Sequence, residues 1–250
     1  MKKAALLIAL LFTILSCTTT SPFDGKKFGG LKGNVKSVKT TRYEGEEKFG
    51  EAVLGRLKSM VKTDFNNDGN EIKNTQYDSR GDLTSDVTNE YKGKEIYKST
   101  FIFAEGATPH VVLFETGKGY RKNYEIDNPD DYTISTIDPD NKYHVLTKDE
   151  DGNLIFDQLF NDNNDLIEYK TYDDGEVYLT ATYEYNDDGL LIRNKSIYTS
   201  ESIIGKEITN EYKYLEFDDH GNWTKRKITI QYKDLSYPDT EIEVNEITYR

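Results

Sequence analysis

A short motif recurs along this chain, and its spacing limits the fold more than any other feature. Aligned on a turn glycine, the copies are FNNDGNEI (Phe65–Ile72), YDSRGDL (Tyr77–Leu83), FNDNNDL (Phe160–Leu166), YDDGEV (Tyr172–Val177), YNDDGLL (Tyr185–Leu191) and FDDHGNW (Phe217–Trp223). KDEDGNL (Lys148–Leu154) and IDPDNKY (Ile137–Tyr143) are weaker copies. The common form is an aromatic residue, polar residues rich in Asp and Asn, Gly or Asn, one variable residue and an apolar one. Asp and Asn side chains bond backbone amides two residues on and so nucleate turns. The Gly or Asn supplies the positive φ that ends a type I turn with a G1 bulge. The flanking aromatic and apolar residues are then strand ends facing each other across a hairpin.

The intervals set the topology. Gly69, Gly81 and Gly93 are 12 apart, and Asn141, Gly152, Asn164, Gly175 and Gly189 follow at 11, 12, 11 and 14. Removing about four turn residues leaves roughly eight per strand, about 26 Å of extended chain. One strand between turns places successive turns at opposite ends of a sheet. The expected fold is therefore all-β, an antiparallel up-and-down β-meander of short hairpin repeats. Residues 35–249 leave room for roughly 14–17 strands. Open sheets rarely exceed about ten without curling, so a large, strongly curved or rolled sheet is expected.

Alternation agrees with strands. Val177, Leu179, Ala181, Tyr183 and Tyr185 share one face, and Ile228, Ile230 and Tyr232 alternate with Lys227, Thr229 and Gln231. Only Ala52–Lys62 leaves room for a helical turn. A membrane-embedded barrel would need a continuous apolar outer band. Lys206–Phe217, KEITNEYKYLEF, scatters charge over both faces, which argues against one.

The Tyr77-Asp78-x-x-Gly81-x-Leu83 pattern, with its looser copies at Phe160, Tyr185 and Phe217, resembles the YD repeat of RHS-type proteins. The opening GGLKGNVKSVKTTRYEG (Gly29–Gly45) is similar to the start of small YD-repeat lipoproteins of Gram-negative bacteria. The Arg that often follows the Gly in RHS repeats is replaced here by Asn70, Asp82, Glu176, Leu190 and Asn222. The resemblance implies a β-meander and carries no established activity.

The first residues read as an address. Lys2 and Lys3 precede the apolar run AALLIALLFTIL, which ends at Ser16-Cys17. This run is shorter than the about 20 residues of a membrane span. It resembles the lipobox of bacterial lipoproteins, which implies cleavage after residue 16 and lipidation of Cys17, the only cysteine. Residues 1–16 are then a lipoprotein signal peptide, 17–30 the acylated Cys and a polar tether, and 31–250 a single YD-repeat-like β domain. The implied location is the bacterial cell envelope, lipid-anchored and, by family analogy, at the outer membrane, with the anchor as the membrane contact. Removing the signal leaves 30 basic and 45 acidic residues, a net charge of −15. That balance disfavours nucleic acid as a partner.

The chemistry-bearing residues have simpler readings. Asp64–Gly69 matches the opening of a calcium loop, but its twelfth position, normally a bidentate Glu, is Thr75. Turn formation accounts for the acidic residues, so no metal or cofactor is expected. His110 reads as a strand-entry residue, His144 as part of an alternating strand and His220 as an exposed turn residue, with no nucleophile motif beside them. A glycosidase needs two carboxylates about 5–10 Å apart, and 45 acidic residues make such pairs uninformative. No catalytic residue is assigned. Nineteen of the 31 aromatics are Tyr, suited to half-buried strand positions and to amphipathic contact. The expected role is a non-catalytic binding or scaffolding module for a glycan or an envelope protein. The alternative is a carbohydrate-active hydrolase whose carboxylate pair the sequence does not identify.

Overall fold

A computed structural model describes residues 31–48, 51–199, 207–233 and 235–250. The signal peptide, Cys17 and the tether thus lie outside the described residues. The described residues form sixteen antiparallel strands: β1 (Val35–Lys48), β2 (Glu51–Phe65), β3 (Glu71–Asp78), β4 (Leu83–Lys92), β5 (Glu95–Ile102), β6 (His110–Gly117), β7 (Tyr120–Glu125) and β8 (Asn128–Asp138) in the first half. The second half holds β9 (Asn141–Asp149), β10 (Leu154–Phe160), β11 (Leu166–Asp173), β12 (Glu176–Tyr185), β13 (Leu191–Tyr198), β14 (Glu207–Phe217), β15 (Trp223–Tyr232) and β16 (Asp239–Tyr249). Each strand pairs with its chain neighbours, and β1 pairs with β16, closing a sixteen-stranded barrel. The meander is as expected, but the sheet has no free edge. Closure satisfies the backbone groups that a curved open sheet would leave exposed.

Among the described residues, six connections share one geometry. In residues 66–70, 78–82, 149–153, 161–165, 186–190 and 218–222, the first amide donates to the fifth carbonyl and the fourth amide donates to the first carbonyl. The fourth residue has positive φ, 81° at Gly69, 76° at Gly189 and 67° at Asn164. This is the type I turn with a G1 bulge. The first side chain clamps it. Asn186 Oδ1 accepts from the amides of Asp188 and Leu190 at 3.1 and 2.9 Å, and Asp78, Asp149, Asn161, Asp218 and Asn66 repeat the pattern. The aromatic and apolar ends pair across the hairpin as Tyr77 with Leu83, Phe160 with Leu166, Tyr185 with Leu191 and Phe217 with Trp223.

Three expectations are corrected. Ala52–Lys62 lies within strand β2; alternation along β2 overrides its helix-compatible composition. Asn141 begins β9 and is not among the left-handed residues, because Pro139 and Asp140 make a two-residue turn closed by Asp138 and Asn141. The Tyr172 copy folds differently as well. Asp174 and Gly175 both take positive φ between paired Asp173 and Glu176, as a type I′ turn requires.

The register places one continuous face inside. Val38 faces Thr63, then Asn74, Val87 and Phe101, and the same face runs through Asn123, Thr133, Thr147, Phe156 and Thr171. It continues through Tyr169, Ala181, Asn194, Asn210, Ile228 and Glu243 and returns to Arg42. Phe101, Phe156, Val145 and Ser99 on this face are almost wholly buried, so the interior is packed along β4–β11. Along β12–β15 the corresponding residues Tyr183, Asn194, Asn210 and Tyr212 are only partly buried. The start of β1, the end of β16 and the turns β2–β3, β10–β11, β12–β13 and β14–β15 share one end of the barrel.

Candidate functional site

The partly buried interior wall of β12–β15 and the seam beside it bring together a set of polar and aromatic side chains. The seam joins segments about 200 residues apart in sequence, so it bears the largest loop-closure cost in the molecule. It is laced by interior side chains. Glu243 of β16 accepts from Arg42 of β1, Nε at 2.9 Å and Nη2 at 2.5 Å, and from Arg226 Nε of β15 at 2.6 Å. Thr40 Oγ1 donates to Asn245 Oδ1 at 2.7 Å, and Lys58 pairs with Glu241. Glu243 is 3% exposed at its side chain, against 18% for Arg226 and 44% for Arg42. Burial alone would push the Glu243 carboxyl up, but Arg226 and Arg42 outweigh it and hold it below the ordinary range.

Arg226 is also the centre of an aromatic box. Its guanidinium lies 4.3 Å from the Trp223 ring centroid and 4.8 Å from that of Tyr212. Tyr214 packs edge-on to Trp223 at 6.0 Å. The wall then passes to β13, where Asn194 Oδ1 accepts from Asn210 Nδ2 at 3.1 Å and from the Tyr212 hydroxyl at 2.8 Å. The Tyr214 hydroxyl donates to the Leu191 carbonyl at 2.9 Å. Burial raises the hydroxyls of Tyr212 and Tyr214, and pushes Tyr183 up to about 12. These phenols stay protonated at neutral pH and serve as hydrogen-bonding and packing groups. Glu243, ionised and held by two arginines, is unsuited to give up a proton as a general acid.

Other titratable groups stand apart from this wall. Glu71 occupies the slot that the other copies fill with Leu83, Leu166, Leu191 or Trp223, facing Phe65 across the β2–β3 hairpin. Burial there pushes its carboxyl up to about 7. That departure from the repeat was visible in the sequence and marks Glu71 as the carboxylate with the unusual setting. His144 sits on the outer face, its Nε2 2.7 Å from Asp157 Oδ1 and its Nδ1 3.0 Å from Asp138 Oδ2. Burial works against its charge, yet the two carboxylates raise its pKa. The alternating-strand reading of His144 holds, but its two partners were not legible because they lie 6 and 13 residues away.

The remaining sequence candidates fall at turns and strand ends. His110 begins β6 and is exposed, as expected of a strand-entry residue. His220 is exposed in its turn, with its ring stacked 4.0 Å from Tyr249. In the calcium-like stretch the side-chain oxygen of Asn66 is taken by the amides of Asp68 and Asn70, and Asp64 pairs with Lys62 at 3.2 Å. Among the described residues no three His, Cys, Asp or Glu converge as metal ligands.

No protein-family model matches this chain, and no curated protein matches it. Solved structures similar to it include a porin-like protein from Bacteroides uniformis, at 14% identity and a TM-score of 0.33, covering 87% of this chain and 98% of the other. The TcdB2–TccC3–Cdc42 structure is similar over 84% of this chain and 11% of its own, at 16% identity and a TM-score of 0.35. A LolA superfamily protein, NE2245 from Nitrosomonas europaea, is similar over 88% of both chains at 9% identity, TM-score 0.32. Likeness this loose assigns no role to any residue.

Proposed function

We propose that this protein is a non-catalytic binding or scaffolding module of the bacterial envelope, anchored through lipidated Cys17 and built from YD-like repeats. The observation that carries the reading is the unevenness of the interior. Strands β4–β11 pack their inward side chains tightly, whereas β12–β15 leave Tyr183, Asn194, Asn210 and Tyr212 partly open. Tyr with Asn suits a hydroxyl-rich chain, because rings stack on apolar sugar faces while amides and hydroxyls bond the rim. A neutral glycan segment is therefore the favoured ligand. The outer face supports a barrel that stands in water. Lys170 pairs with Glu168 at 2.6 Å within β11, and Lys195 in the middle of β13 pairs with Glu207 at the start of β14 at 2.6 Å, where a lipid-facing band would keep mid-strand positions such as Lys170 and Lys195 apolar. Lipid anchoring is proposed from the lipobox alone, and an outer-membrane location from family analogy alone.

Glycan and envelope-protein panels probed with residues 18–250 test the reading. Binding is expected, and Tyr212→Ala or Tyr183→Ala should weaken it at least tenfold. Clean failure on both panels, or binding indifferent to both variants, would overturn it. The hydrolase alternative has one specific point in favour, the carboxyl of Glu71 poised at about 7. Turnover of any panel glycan that is lost in Glu71→Gln would support it instead.

A further inference from the structure

The interior of β7 and β8 carries a second arrangement, away from the tyrosine wall. Arg121 and Asn123 are two residues apart on β7 and share its inward face. The register places Ser135 opposite Arg121 and Thr133 opposite Asn123. Four polar side chains thus form a patch two residues long and two strands wide. Ser135 is satisfied by Thr147 at 2.8 Å. Asn123, 3% exposed, and Thr133, 2% exposed, are each left with a buried side-chain atom that has no hydrogen-bond partner, Nδ2 and Oγ1 respectively. A buried polar group in that state forfeits its water without a replacement bond, which destabilises the fold. Two such groups side by side in a closed barrel wall are poorly explained as packing, where Val or Leu would serve better.

The charge beside them is positive. The Arg121 guanidinium lies over the Phe114 ring at 5.5 Å. Burial pushes it down to about 10, with Tyr91 acting the other way. The patch therefore combines a desolvated cation, an amide N–H pointing inward and a hydroxyl able to donate. In a chain with net charge −13, such a concentration of donors runs against the overall field.

We propose that Arg121, Asn123 and Thr133 form an interior binding site for a small inorganic anion. The guanidinium supplies the charge, and the Asn123 amide and Thr133 hydroxyl donate to the anion. Charge-assisted bonds of this kind are roughly twice as strong as neutral ones. Occupancy stabilises the barrel by mass action, since the unfolded chain has no such site.

The test titrates the full chain separately with sodium chloride and with sodium phosphate at constant ionic strength, following the thermal midpoint and the Asn123 side-chain amide signals. A midpoint rise that saturates in the millimolar range is expected with at least one of the two salts, with a saturating shift of the Asn123 resonances. Thr133→Val keeps the side-chain shape and removes an unpartnered hydroxyl, so it should fold at least as stably as the parent. It should nonetheless require at least tenfold more anion for the same response, and Arg121→Gln should abolish the response. A linear, non-saturating rise with both salts, or a saturating one unchanged in Thr133→Val, means an adventitious ion only and overturns the proposal.

Discussion

Replacing Glu243 by Gln preserves volume and removes the negative charge that Arg42 and Arg226 share across the seam. Arg226 is 18% exposed, and taking the partner from a buried ion pair costs about 3–5 kcal/mol. Arg42 is 44% exposed, so water screens it and its share is at most about 1 kcal/mol. The Gln oxygen retains one acceptor, which recovers about 1 kcal/mol. The expected loss is about 2–5 kcal/mol. Urea unfolding followed by fluorescence reports it directly, because Trp223, the only tryptophan, lies 4.3 Å from the Arg226 guanidinium. Glu184→Gln is the control: its pairing with Arg193 spans 3.7 Å between half-exposed side chains and should change stability by about 0.5 kcal/mol or less. The double variant Glu243→Leu with Arg226→Met should recover most of the loss, since apolar packing can replace a buried pair. If Glu243→Gln and Glu184→Gln unfold at the same urea concentration, the seam is not held by this network. The pH sense follows from the depressed carboxyl. Its contribution is complete above the unfolded value of about 4.3 and is lost as pH falls through the still lower folded value. The gap between parent and Glu243→Gln should therefore close on acidification.

Gly189 has φ of 76°, and the space into which a side chain there would project is open. Gly189→Val should therefore cost about 1–2 kcal/mol from the backbone alone. Gly189→Asn should cost clearly less, because Asn164 already holds the equivalent position at 67°; equal melting losses for the two would refute the turn account. Asn186→Ala removes the side chain that accepts from Asp188 and Leu190 and should lower stability by about 1 kcal/mol, whereas Asp187→Asn should be nearly silent in the same calorimetric scan. His144 has a raised folded pKa, so its bridge is complete below the unfolded value of about 6.5 and is lost as pH rises through the folded value. The stability difference between parent and His144→Gln should thus be larger at pH 6 than at pH 9, and an NMR titration giving a His144 pKa below about 6.5 would contradict the paired geometry.

What the sequence determined by itself is local. Each acidic turn is written in consecutive residues, since Asn or Asp at its first position and Gly or Asn at its fourth close it with bonds spanning two to four residues. Alternation then orients strands such as β12 and β15, and the repeat interval orders the strands into a meander. The Tyr172 and Ile137 copies misled because one residue more or less in a turn changes its class while its composition stays the same. Closure, by contrast, was decided only in three dimensions. Whether β1 meets β16 depends on accumulated twist and coil over sixteen strands, to which each repeat adds a small angle that no single motif encodes. The partners that make the interior chemistry, Arg42 with Glu243 across 201 positions, Tyr212 with Asn194, and Asn123 opposite Thr133, are brought together by that closure and by the register. Glu71 is the instructive boundary between the two. Its place in an apolar slot could be read from the repeat, but its shifted carboxyl exists only because the barrel wall buries that slot.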